Sequence, residues 1–169
     1  MYDFAAKLRR IWPLLALLAS AAMLAGAHAF ERFGGFAPCV LCLKQREVYW
    51  GALALAGAGL LVLKLRSRPG LERLAAAALG LAFLTSFAIA AYHVAVEQHW
   101  VAAQCEADFD LSEIAPMDWS GPLVVPACDT PAWTMFAISM AGYNAMISLG
   151  LAALSFLIAF APARSRAHD

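Results

Sequence analysis

Four stretches of this chain are long and apolar enough to cross a bilayer, and lipid leaves a backbone few ways to satisfy its polar groups. Crossing the hydrocarbon takes about 20 mostly apolar residues. Residues 11–30, 41–65, 74–96 and 133–160 each meet that requirement. None alternates as a strand would, and an open sheet edge cannot survive in lipid because its N–H and C=O groups find no partners. The expected fold class is therefore an all-α membrane protein. It is a four-transmembrane-helix bundle forming one domain over residues 1–169, with outer loops at about 31–40 and 97–132. Composition agrees: 63% of residues are hydrophobic and 14% charged, too apolar for an ordinary soluble domain. The formal net charge is zero, so no general attraction to nucleic acid is implied.

Charge placement sets the expected orientation. Lys7, Arg9 and Arg10 precede the first span, Lys64, Arg66, Arg68 and Arg73 fill the link between the second and third, and Arg164 and Arg166 follow the fourth. Residues 97–131 carry Glu97, Glu106, Asp108, Asp110, Glu113, Asp118 and Asp129 with no Lys or Arg. The positive-inside tendency puts both termini and the middle link in the cytoplasm and both outer loops on the opposite face. Basic residues, an apolar run and Ala27-His28-Ala29 also resemble a cleavable secretory signal. A retained first helix is the favoured reading, since it helps to close a bundle. Pro13 is expected near the start of the first helix, where its missing N–H costs little. Trp12, Tyr49, Trp50, Trp100, Trp119 and Trp133 fall near span ends as an aromatic belt would. The apolar residues between 114 and 125 suggest contact with the membrane surface.

The chemistry lies in the cysteines. Cys39 and Cys42 stand in Pro38-Cys39-Val40-Leu41-Cys42 at the mouth of the second span, and Cys105 and Cys128 lie together in the second outer loop. The outer face is an oxidising environment in a bacterium or the secretory route, where disulfides persist. On a helix, Cys39, Cys42 and Arg46 share one face, with Pro38 expected at the first helical position. A thiol near a helix N-terminus and a cation has a depressed pKa, and the thiolate is the reactive form. Arg46 is read as a group that supports the thiolate and holds an oxygen of a bound cofactor. The plainer alternative is a headgroup anchor paired with Glu47.

Other uses of a Cys-x-x-Cys fit less well. Covalent haem attachment needs His at position 43, which is Leu. Zinc needs about four ligands, and the usual second close pair is missing, so no metal is expected. A purely structural bridge between Cys39 and Cys42 would constrain the unfolded chain little, because its loop is so short. For Cys105 and Cys128 a structural bridge ordering a Pro-rich loop stays open beside a redox role. Two thiol pairs on one face suggest a relay. Without haem, flavin or iron–sulfur motifs, the simplest electron acceptor is a quinone dissolved in the membrane.

These features together resemble the DsbB family of quinone-dependent thiol oxidases. The resemblance rests on Pro38-Cys39-Val40-Leu41-Cys42 followed by Arg46, on Cys105 and Cys128 in the second outer loop, on four spans, and on the stretch from Trp133 through Met140 at the entry to the last. It implies a multi-pass protein of the bacterial inner membrane that reoxidises a periplasmic DsbA-like thioredoxin-fold protein in disulfide bond formation. It also implies residue roles. The partner's thiolate would attack Cys105, Cys128 would attack Cys39, and the freed Cys42 thiolate would donate to ubiquinone or menaquinone, with Arg46 and Met140 on the quinone side. Neither His93 nor His99 is assigned a role, and His93 is expected to be a packing or interfacial residue. The alternatives are a relative of the vitamin K epoxide reductases, whose Cys-x-x-Cys would be expected late in the bundle, and a non-enzymatic scaffold with stapled loops.

Overall fold

The computed structural model describes residues 2–66, 68–102 and 127–162, with side chains from residue 7 onward. Four helices carry the described chain: α1 (Tyr2–Gly34), α2 (Val40–Leu65), α3 (Pro69–Glu97) and α4 (Met140–Phe160). Each is long and apolar enough to cross a membrane. An antiparallel hairpin, β1 (Thr134–Met135) and β2 (Ile138–Ser139), precedes α4.

Local chemistry sets the helix starts. Pro69 opens α3, where its fixed φ suits the first turn. Ser139 caps α4 by accepting a bond from the Gly142 N–H at 3.0 Å. Three boundaries differ from the sequence expectation. The fourth helix starts at Met140, not Trp133, because Phe136 and Ala137 both hold positive φ, 52° and 61°, and turn the chain into a hairpin. Pro38 lies just outside α2, since Cys39 occupies the cap position itself. Pro13 sits well inside α1, which begins at Tyr2. It thus removes one helical hydrogen bond, leaving the carbonyl four residues earlier without its helical donor.

Small residues bring the helices together. Ala16, Ala52, Ala56, Ala76 and Ala152 are all buried in one core contributed by every helix. A methyl group added at Gly80 of α3 would lie 3.0–3.1 Å from the Phe156 ring of α4, so the ring would have to shift by a few tenths of an ångström to admit it. With no hydrophobic drive between helices in lipid, such close packing and interhelical hydrogen bonds hold a bundle. At one end Arg9 and Arg73 both donate to the Ala161 carbonyl, at 2.8 and 3.1 Å, tying the starts of α1 and α3 to the end of α4. One turn inward, the Trp12 indole N–H donates to Ser155 Oγ at 3.0 Å. Cys39, Cys42 and Cys128 gather at the other end.

Candidate dithiol site

Cys39 is the N-cap of α2, and its sulfur accepts a bond from the backbone N–H of Cys42 at 3.3 Å. The cap puts a sulfur where the orphan N–H groups and the positive end of the helix dipole converge. One turn on, Cys42 brings its Sγ to 2.8 Å from Cys39 Sγ, and both are free thiols. The Nε2 atom of His93, from α3, lies 3.6 Å from Cys39 Sγ. The Cys42 thiol is the largest influence on Cys39. Together with the His93 ring and the capping N–H it outweighs burial and brings the Cys39 thiol from 9.0 down to about 4. The capping N–H and the His93 ring both favour the charged form of Cys39.

Arg46 follows Cys42 by one turn. Its guanidinium donates to a Glu31 carboxylate oxygen and, at 3.2 Å, to the Ala27 carbonyl, both on α1. Glu47 pairs with Lys44 at 3.3 Å instead, so the alternative Arg46–Glu47 anchor is not what forms. Cys128 is buried and disulfide-bonded, and it packs in one cluster with Cys39 and Val96. Cys105 lies outside the described residues, as do residues 114–125.

Cys39, Cys42, Arg46, His93 and Met140 share the wall of a cavity of about 570 Å³. Its other walls come from α1, with Met23 and Phe30, from the stretch before the hairpin, with Pro131 and Trp133, and from α4, with Ile147. This volume falls in the range of small-molecule sites, and the apolar lining with a few polar groups suits a flat lipophilic cofactor. A metal suits it less. The donor atoms of Cys39, Cys42 and His93 lie within 4.8 Å of one another. Yet zinc would need the sulfurs spread well beyond 2.8 Å and a proton on His93 Nδ1. That atom faces the amide Nε2 of Gln45 at 2.9 Å, itself a donor.

His93 is the residue that sequence reasoning missed. It is buried, touches Cys39, and also approaches Glu97 Oε1 at 3.8 Å. The available signal was its place inside a span, since an ionisable residue at membrane depth is a functional candidate by default. The spacing of His93 and Glu97, four apart on one helix face, strengthens that signal.

No curated protein and no solved structure shows significant similarity to the chain. The sequence model of the family described as "Disulfide bond formation protein DsbB" matches residues 9–158. That match spans all four helices and takes in both Cys39 and Cys42. A multi-pass bundle with a thiol pair capping its second helix therefore belongs to the DsbB family, the disulfide bond formation proteins of the membrane.

Proposed function

We propose that this chain is a thiol:quinone oxidoreductase of a bacterial inner membrane that reoxidises a periplasmic DsbA-like thioredoxin-fold protein. The observation that carries this reading is an activated dithiol opening on an apolar cavity of about 570 Å³ at a span end. Orientation is supported by charge: Lys7, Arg9, Arg10, Lys64, Arg66, Arg68 and Arg73 gather at the opposite end from Cys39, which favours cytoplasmic termini.

The residues present fit a quinone. Met140, Met23 and Ile147 offer apolar wall beside His93, while Arg46 offers N–H donors for a carbonyl oxygen. Bound there, ubiquinone or menaquinone supplies an acceptor for two electrons and two protons.

Electrons reach the site through sulfur. The partner's thiolate attacks Cys105 in a Cys105–Cys128 disulfide, and Cys128 leaves as a thiolate. The partner's second thiol then resolves the mixed disulfide, leaving the partner oxidised. Cys128 attacks Cys39 of a closed Cys39–Cys42 bond, and Cys42 leaves as a thiolate near Arg46. Cys105 next attacks Cys128, which restores that disulfide and frees Cys39. Two electrons now sit on Cys39 and Cys42, and reclosure of their bond delivers them to the acceptor. The packing of Cys128 against Cys39 supports the middle exchange, since thiolate attack needs direct access to the target sulfur.

The test is purified protein in lipid discs with a reduced dithiol partner and a soluble ubiquinone analogue, followed by quinone absorbance. Cys39→Ser and Cys42→Ser should each abolish turnover while the protein stays folded in the disc. Unchanged turnover in either variant excludes the reading.

A further inference from the structure

We infer that Tyr49, Asn144 and Gln45 form a directional hydrogen-bond chain that fixes His93 as its Nε2–H tautomer and aims that proton at the Cys39 sulfur. The chain runs through the buried interior between α2, α3 and α4, away from any solvent that could substitute for a missing partner. Its direction is set at the far end. The Tyr49 hydroxyl and Ser148 Oγ both lie within reach of Asn144 Oδ1, at 2.7 and 3.1 Å. The Tyr49 hydroxyl donates to this atom, so it is the accepting carbonyl oxygen and the amide nitrogen points the other way. Ser148 Oγ in turn donates to Ser86 Oγ at 3.0 Å.

With its oxygen committed there, Asn144 turns Nδ2 to Gln45 and donates to Oε1. Gln45 in turn presents Nε2 to His93 Nδ1 at 2.9 Å. An amide nitrogen only donates, so Nδ1 must be the lone-pair nitrogen. The single proton of the neutral ring is then on Nε2, 3.6 Å from Cys39 Sγ and 3.8 Å from Glu97 Oε1. Among the described residues, the titratable side chains facing the ring are Cys39 and Cys42 from α2 and Glu97 from its own helix. The backbone of Cys128 also meets the ring.

Gln45 and Asn144 are therefore positioning residues. A neutral imidazole locked in this tautomer donates to a thiolate without first having to bind a second proton. The opposite tautomer would turn a lone pair toward the thiolate and withdraw that support. The catalytic consequence rests on the thiol:quinone reading, whereas the tautomer does not.

The decisive variant is Asn144→Asp, which keeps the size and reverses the polarity two residues away from the ring. Above the pH at which the new carboxyl ionises both of its oxygens accept, so Gln45 must turn its Nε2 toward position 144 and its oxygen to His93, which moves the ring proton to Nδ1. Nitrogen-15 spectra of histidine-labelled reduced protein report the tautomer directly, with the His93 signals assigned by loss in His93→Gln. In the wild type Nε2 should be protonated and Nδ1 bare. In Asn144→Asp the pattern should invert, and the midpoint for Cys39 alkylation against pH should rise by about one unit, a tenfold loss of thiolate below it. A wild-type spectrum with the proton on Nδ1 overturns the inference, as does an Asn144→Asp protein with an unmoved spectrum and midpoint. The wild-type spectrum decides even where the variant does not fold. A wild type that shows the Nε2–H pattern yet reduces no quinone would refute the proposed function and support this chain.

Discussion

Replacing Cys42 with Ala removes the largest single support of the Cys39 thiolate and leaves the other two in place. Among the described residues the sulfur of Cys39 meets the Cys42 thiol at 2.8 Å, the Cys42 backbone N–H at 3.3 Å and His93 Nε2 at 3.6 Å. A hydrogen bond to a charged acceptor contributes roughly 1.5–3 kcal/mol, equivalent to about one to two pKa units. Cys39 should therefore titrate about one to two units above its wild-type value of about 4 in Cys42→Ala, still far below 9.0. The sign matters for reactivity. A depressed pKa keeps the thiolate populated at neutral pH, and reactivity is lost only as pH falls through the folded-state value. The assay is iodoacetamide modification of Cys39 across pH, resolved by peptide mass spectrometry on protein in lipid discs. A midpoint back near the ordinary thiol value would refute the argument. It would mean that the helix N-terminus and His93 contribute nothing and that the thiol pair alone accounts for the effect.

Other perturbations probe separate parts of the structure. Arg46→Ala, which releases the contacts to Glu31 and Ala27, should raise the apparent KM for quinone several-fold while partner capture by Cys105 is kept; a normal quinone KM would remove Arg46 from the cofactor site. Trp12→Phe deletes a buried interhelical bond to Ser155 and should cost about 0.6 to 1.7 kcal/mol of stability in a steric-trap unfolding measurement. Ala137→Gly relieves a positive φ at the hairpin tip and should slow hydrogen exchange in residues 134–139, with a gain of about 1 kcal/mol.

The spans were legible because length and hydropathy are properties of the sequence alone, and lipid removes the competing solutions. The start of the fourth helix was not legible. Residues 133–139 are mostly apolar, and the signal that breaks them from α4 is a turn at Phe136 and Ala137 with neither Asn nor Gly to mark it. The cysteine pair and its place at a helix mouth were readable from spacing, but the cap was not: Cys39 rather than Pro38 begins the helical hydrogen bonding, which determines where the sulfur sits. Arg46 was singled out in the sequence by its place on the cysteine face of the helix, yet its partner Glu31 lies fifteen positions away on another helix and only packing reveals it. His93, Gln45 and Asn144 show the same limit. His93 and Asn144 are single polar residues in apolar runs and Gln45 sits among Lys44, Arg46 and Glu47, and the meaning of each depends on which other helix it faces.

In the proposed function Cys39 and Cys42 hand two electrons to a quinone, and a single-turnover titration tests that directly. Fully reduced protein in lipid discs is mixed with one equivalent of ubiquinone analogue, quenched with acid, and its thiols mapped by mass spectrometry alongside quinol absorbance. The expected result is one equivalent of quinol for each Cys39–Cys42 disulfide formed, and no quinol from Cys39→Ser. Quinol without that disulfide, or thiols that stay reduced beside unreacted quinone, would contradict it.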